Sequence, residues 1–186
     1  MNALECDDEK TARLIESLSR QLRYTMGDHR ERVPLRRELD SLQEYAVLVD
    51  ARYEGRIRLS FEIPDDALDL LVPKLLLQPF VENAILHGIG SKRPPQGVLR
   101  IGGHSQGGAI VLTVSDDGDG FPGLSGAVRA GEWDAASTSG YGMKNVEERI
   151  RLLCGKESGV WLQNRGGALV TIRLPREFPT PFHGDS

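Results

Sequence analysis

Between Leu75 and Gly88 the chain reads LLLQPFVENAILHG. Leu77, Phe80, Val81, Ala84 and Ile85 recur at three- and four-residue spacing, which predicts a helix with one apolar stripe turned to a core. Asn83 and His87 are four apart and share a face at the edge of that stripe. Glu82 lies about a quarter-turn round. Gly88 is the expected stop, as glycine is at many helix C-termini. An amide, an imidazole and a carboxylate beside a buried stripe fit a helix that forms one wall of a polar site. They fit equally a core helix with its polar residues on the solvent side.

A chain of 186 residues holds one domain, or one domain with an appendage. Its 23 Lys and Arg against 27 Asp and Glu give a net charge of −4, which argues against nucleic acid as the main partner. Cys6 and Cys154 stand at opposite ends without a CxxC spacing, the pattern of free thiols in a reducing cytoplasm. The sequence contains no apolar run long enough to span a bilayer and no N-terminal signal pattern. A cytoplasmic chain is expected, compatible with the cytosolic part of a membrane-anchored protein.

From Asp7 to about Met26, Ala12, Ile15, Leu18 and Leu22 keep helical spacing, and Asp7, Asp8 and Glu9 lie near the positive end of the dipole. A second helix is predicted over Pro34–Arg52, with Pro34 in the first turn, where its missing N–H costs nothing. Two such helices form an antiparallel hairpin or a partner-binding arm. With no sheet of their own to cover, they are expected to pack on something else, such as a second copy.

Ile57–Ile63 alternates as a half-buried strand does. Residues 91–97 are a loop by composition, and 98–101 with 109–114 form a hairpin across Ser105–Gly108. The chain is glycine-rich and irregular from Asp117 to Gly142. Met143–Leu153 is helical, and 160–163 with 169–174 make a second hairpin around Arg165–Gly167. The order predicts an α+β fold, a two-layer sandwich of mixed sheet and helices with an N-terminal helical arm.

Asp116-Asp117-Gly118-Asp119-Gly120 comes directly after a strand. A strand-end aspartate accepts a hydrogen bond from an exocyclic amine, and the glycines let a flat ring approach the backbone. The same run also reads as an acidic turn. A calcium loop fits less well, because position twelve from Asp117 is Val128 and a strand precedes. Gly140-Tyr141-Gly142-Met143-Lys144-Asn145 opens a helix, where free N–H groups and the dipole favour phosphate and Lys144 adds a point charge. The run is neither a Walker A loop nor a Rossmann fingerprint.

In this order, ENAILHG, SDDGDGF and GYGMKNVEERI resemble the N, G1 and G2 boxes of the GHKL (Bergerat) ATP-binding fold. That fold is shared by sensor histidine kinases, gyrase, MutL and the large heat-shock chaperone. The details are most similar to the LytS-like branch of sensor histidine kinases. Supporting stretches are LRREL with Tyr45, RYEGRI, the LLLQPFVENAILHGI block and Gly166-Gly167-Ala168 before the last strand. The resemblance implies an arm at 1–55, left from the dimerisation and phosphoacceptor region. It implies an ATP-binding catalytic domain at 56–178, and 179–186 is read as a disordered tail.

Residue by residue, the resemblance implies that Asn83 holds Mg2+ and that Asp116 reads adenine. Gly118 and Gly120 shape the adenine floor. Gly140, Tyr141, Gly142 and the amides from Met143 through Lys144 to Asn145 cradle phosphate. His87 falls where related kinases place a basic residue near the phosphates, or it caps its helix. Glu82 either assists phosphoryl transfer or is simply solvated. Asp117 replaces a common asparagine and adds negative charge near the pocket. Ala168 replaces a common threonine. Phe121–Ser139 would be a mobile lid. Pro79 stands where ATPase branches carry a water-activating carboxylate, so hydrolysis is expected to be poor.

The implied activity is transfer of the ATP γ-phosphate to a histidine and thence to a response-regulator receiver domain, in a homodimer joined through the N-terminal helices. Asn2-Ala3-Leu4 resembles the stretch just C-terminal to the family's acceptor motif, so the acceptor is expected upstream. His29 to Pro34 has the spacing of another kinase class but the wrong neighbours, and His104 and His183 have no partner acid or ligand nearby. Two alternatives stand beside this reading: a GHKL ATPase or serine kinase, and a nucleotide-binding or dimerisation module without chemistry.

Overall fold

The computed structural model describes residues 3–27, 30–133 and 139–177, with side chains for all of these except 3–7 and 139–141. Helices α1 (Ala3–Gly27) and α2 (Leu35–Tyr53) come first, with a short strand β1 (Arg32–Pro34) between them. Next are β2 (Ile57–Glu62), β3 (Leu71–Pro73) and α3 (Gln78–Asn83). Strands β4 (Gly97–Gln106), β5 (Ala109–Asp116) and β6 (Val128–Arg129) precede α4 (Ser139–Cys154). Strands β7 (Gly159–Asn164) and β8 (Ala168–Pro175) complete the order.

Six strands form one mixed sheet in the order β2-β4-β5-β8-β7-β6, and β1 pairs with β3 apart from it. Both expected hairpins form. Gln106 pairs with Ala109, and Gly107 and Gly108 both have positive φ, the two-residue turn that matches strand twist. The β2–β4 pair is parallel, a long-range pairing that alternation alone does not announce. Strand β4 also runs past the expected Ile101. Gly102 and Gly103 continue it, paired with Thr113 and Leu112 of β5, where a Cβ would crowd Thr113 and Ile63.

Leu77, Phe80, Val81, Ala84 and Ile85 are buried, as their spacing predicts. Each large side chain among them contributes about 1.5–3 kcal/mol of burial. The helix itself is shorter than the predicted Leu75–Gly88. Pro79 lies in its first turn, where lack of an N–H is harmless, and Leu75 upstream has φ +57, outside any helix. Downstream the chain widens into a π turn over Ala84–Gly88 and tightens into a 3-10 turn over Ile89–Ser91. Gly88 is therefore not a stop. The residue that the wide turn restricts is Gly90, where a Cβ would collide with the Ile85 carbonyl oxygen.

In β8, Ala168, Val170, Ile172 and Leu174 are buried and alternate with more exposed residues, so one face of the sheet meets the helices. Leu35, Leu39, Leu42 and Val49 of α2 join that same core. This corrects the expectation that both N-terminal helices lack a surface to cover. Helix α1 packs on α2, with Arg20 donating to Glu44 at 2.7 Å and Ser41 to Gln21 at 3.1 Å. It leaves Ile15, Leu18, Leu22 and Met26 exposed. No described helix is long and apolar enough to cross a membrane. Cys154 is a buried free thiol whose pKa is pushed up to about 11 by burial. His29, His183 and the tail at 179–186 lie outside the described residues, and His104 is exposed on β4.

Candidate functional site

Strand β5 ends on Asp116, which is only 7% exposed. Its Oδ1 accepts the amides of Gly118 at 2.7 Å and Ala168 at 3.3 Å. Its Oδ2 has no partner among the described residues. Burial raises the carboxyl pKa above its ordinary value, and the two amide donors oppose that shift only in part. Two further positions must be glycine for this geometry. A Cβ on Gly88 would touch both Asp116 carboxylate oxygens at 3.0 and 3.1 Å, and one on Gly167 would collide with the Asp116 carbonyl oxygen.

A cavity of about 340 Å³ opens beside this carboxylate. The helix α3 segment supplies Asn83, Ala84, His87 and Gly88, and Ser91 lies just beyond them. The loop after β5 supplies Asp119, Gly120, Phe121 and Pro122, with Trp133 and Ala168 completing the lining. Phe121 and Trp133 meet edge to face with ring centroids 5.1 Å apart. Ser91 donates to Asp119 at 2.8 Å, tying the two segments together. A mainly apolar cavity with one carboxylate oxygen left unpaired suits a flat heterocycle bearing an amine.

A second cavity of about 240 Å³ is lined by Pro79, Glu82, Asn83, Leu86, His87, Gly142 and Met143. Asn83 and His87 line both cavities and so join them. The Asn83 side chain makes no hydrogen bond to a described residue, whereas Glu82 accepts from Gln78 Nε2 at 2.7 Å. Helix α4 begins at Ser139, four residues earlier than the predicted Met143. The free N–H groups of its first turn therefore belong near Gly140, Tyr141 and Gly142. The amides of Met143, Lys144 and Asn145 fall inside the helical ladder. Met143 is 2% exposed and packs in the core, while Lys144 is half-buried and Asn145 exposed. The Tyr141 side chain lies outside the described residues.

The described part of the expected lid is anchored at Phe121 and over 128–133, while Gly123 and Gly126 between them have open space where a Cβ would lie. Gly120 has φ +76, and a Cβ there would lie 2.5 Å from Asn164 Oδ1. That same oxygen accepts the Phe121 amide at 2.7 Å, while Asn164 Nδ2 donates to the Phe121 carbonyl at 2.9 Å. Farther on, β6 pairs with β7, and Gly131 donates its amide to the buried Glu147 of α4. Residues 134–138 lie outside the described residues.

Asp117 accepts Val98 N and Lys92 Nζ, each at 3.2 Å, and lines neither cavity, yet its charge acts on the neighbouring Asp116 and helps raise that carboxyl's pKa, in line with the expected negative charge near the pocket. Sequence reasoning missed Asn164, Trp133 and Ser91. Asn164 ends a strand with nothing to distinguish it from a turn residue, and Trp133 stands in a stretch without periodicity.

A structure in which these glycines, a strand-end aspartate and a helical asparagine meet around one cavity defines an ATP-binding class. Residues 69–177 match the family described as "Histidine kinase-, DNA gyrase B-, and HSP90-like ATPase", and residues 1–57 match the one described as "Histidine kinase". The chain belongs to the first of these families. It is 28% identical over 169 residues to the sensor histidine kinase YesM of Bacillus subtilis, covering 90% of this chain and 28% of that protein. With the sensor protein LytS of Oceanobacillus iheyensis the identity is 30% over 177 residues, covering 92% and 30%. The chain thus spans less than a third of the length of these relatives. The nucleotide-free catalytic domain of the histidine kinase ThkA shares the fold, with a TM-score of 0.57, 21% identity, and coverage of 80% of this chain and 97% of that one.

Proposed function

We propose that this chain carries the catalytic domain of a two-component sensor histidine kinase, with an arm at 1–55 and the ATP-binding unit at 56–178. The observation that carries the reading is that Asp116, from a separate part of the chain, meets Asn83 and His87 around one cavity. Asp116 Oδ2 accepts the adenine amine, and Phe121 and Trp133 give the ring an apolar wall. Gly118 and Gly120 keep the backbone close enough for that contact.

The triphosphate extends into the second cavity, toward Glu82, His87 and the first turn of α4, where Gly140, Tyr141 and Gly142 offer amides and Lys144 a charge. Magnesium, which would neutralise charge on the phosphates, fits Asn83. That amide is unengaged, and magnesium takes few protein ligands beside phosphate and water. Among the described residues no cluster of three or more His, Cys, Asp or Glu forms a protein-only metal site.

In the reaction the bond between the γ-phosphorus and the β–γ bridging oxygen breaks as an imidazole nitrogen bonds to phosphorus, and ADP leaves. Positioning and charge neutralisation supply the rate. The acceptor is a histidine upstream of these residues, and a response-regulator aspartate then takes the phosphoryl group. The exposed Ile15, Leu18, Leu22 and Met26 of α1 give a homodimer its contact, within a membrane-anchored whole protein whose kinase part is cytoplasmic. The test supplies γ-labelled ATP, Mg2+ and a separate upstream fragment bearing the acceptor. Acid-labile label on that fragment is expected. Bound ATP without label favours a module that performs no chemistry, and steady phosphate release favours an ATPase.

A further inference from the structure

The segment that leads into α3 is gripped from two sides. Glu38 of α2 is 1% exposed. Its Oε1 accepts the Leu75 amide at 2.7 Å, and its Oε2 accepts those of Leu76 at 2.8 Å and Leu77 at 3.2 Å. From α4, Arg149 Nη2 donates to the Leu75 carbonyl at 2.9 Å. Leu75, held between them, has φ +57, a conformation that leucine keeps only where its surroundings enforce it.

Glu38 lies among Leu35, Leu39 and Leu42, where an apolar residue would pack well. A leucine there would leave three backbone donors without an acceptor. The carboxylate thus serves the strap at the foot of α3, the helix that carries Glu82 and Asn83. Arg149 extends the grip to α4, the helix whose first turn carries Gly142. Tyr24 of α1 donates its hydroxyl to Glu38 Oε1. Burial, and then the Glu38 charge, push the phenol pKa well up, so Tyr24 stays a donor.

We propose that Glu38 and Arg149 are positioning residues for the nucleotide site. Together they fix Leu75–Leu77, and with it the separation between Asn83 on α3 and the first turn of α4. Tyr24 makes that separation responsive to α1. The inference rests on the reading of the two cavities as a Mg–ATP site. Asp116 stands on β5, outside this grip, and the strap precedes α3, so a change at the strap acts more on Asn83 and the phosphate side than on the adenine carboxylate.

The test titrates the chain and its Glu38→Gln, Arg149→Gln and Tyr24→Phe variants with adenosine, with ATP in EDTA, and with ATP in Mg2+. Glu38→Gln keeps the size but turns one acceptor oxygen into a donor that faces other donors. Affinity for Mg–ATP is expected to fall about tenfold in Glu38→Gln and Arg149→Gln, the ratio that one lost charge-assisted hydrogen bond represents. Adenosine affinity is expected to stay within about twofold, below the effect of one such bond. Tyr24→Phe should move Mg–ATP affinity in the same direction by less.

If both clamp variants keep wild-type Mg–ATP affinity, or lose adenosine in equal proportion, the positioning role is overturned while the nucleotide reading stands. An unchanged Tyr24→Phe overturns the extension to α1. A wild-type chain that binds none of the ligands overturns the nucleotide reading itself. Should Glu38→Gln fail to fold, Arg149→Gln decides the matter alone.

Discussion

Gly118 stands against Gly88 so closely that a Cβ on it would lie 2.5 Å from the Gly88 carbonyl carbon. The loop after β5 and the end of the α3 segment therefore meet backbone to backbone, and position 118 has no room for a side chain at the contact. Gly118 has no positive φ, so the restriction is one of space.

Gly118→Ala is expected to force the two segments apart, at about 1–3 kcal/mol for overpacking. The shift also moves Asp116, whose Oδ1 is held by the Gly118 amide. Urea unfolding should show the loss of stability, and titration with adenosine should show weakened binding. A variant that matches wild type in both measurements contradicts the packed contact.

Asp116 sets a pH dependence with a definite sign. Burial raises its folded-state pKa above the ordinary carboxyl value, so the folded state holds the proton more tightly than the unfolded one. Its stabilising contribution is fully present below the unfolded pKa and is lost as pH rises through the raised folded value. Stability of Asp116→Asn relative to wild type should therefore improve across that window on going to higher pH. Adenine binding runs the other way, because the amine donor prefers the ionised carboxylate. Adenosine affinity should fall on acidification at a higher pH than for an exposed carboxyl. A wild-type affinity that stays flat across that window contradicts the role given to Asp116.

Glu147 is expected to hold the segment that closes the cavity. It is buried, accepts the Gly131 amide and lies 3.6 Å from Arg129 Nε. Glu147→Gln keeps its size but weakens both contacts, at about 1–3 kcal/mol locally. Hydrogen exchange over residues 128–133 should speed up while α2 stays protected. Unchanged exchange there means that β6 and Trp133 are held by other contacts.

Much of this fold is legible in the sequence because local spacing and burial agree. The stripe from Leu77 to Ile85, the Gly107-Gly108 turn and the alternation of β8 each derive from one short stretch. The π turn at Ala84–Gly88 is not legible, since a helical stripe reads the same whether or not one turn widens. Nor is the parallel β2–β4 pairing, which depends on residues far apart in sequence. Glu38 escapes a sequence reading although it falls on the same face as Leu35, Leu39 and Leu42. A charge on an apolar face is a usable signal, but only the fold shows that three amides await it. The partners of Asp117, Val98 and Lys92, are not legible for a related reason, since strand direction decides which of two adjacent carboxylates faces the cavity.

Pro79 stands one turn before Asn83, lining the second cavity, and has no group that could take a proton from water. Phosphate release from ATP by the chain without an acceptor is expected to be slow. A release rate that rises to match transfer to the supplied histidine fragment would contradict that assignment.

Isothermal titration of Mg–ATP into the chain, into Asn83→Asp and into Asp116→Asn tests the central claim most directly. A single saturable site is predicted for the wild type, with binding lost in both variants. Equal affinity in all three proteins would mean that Asn83 and Asp116 do not share a nucleotide site.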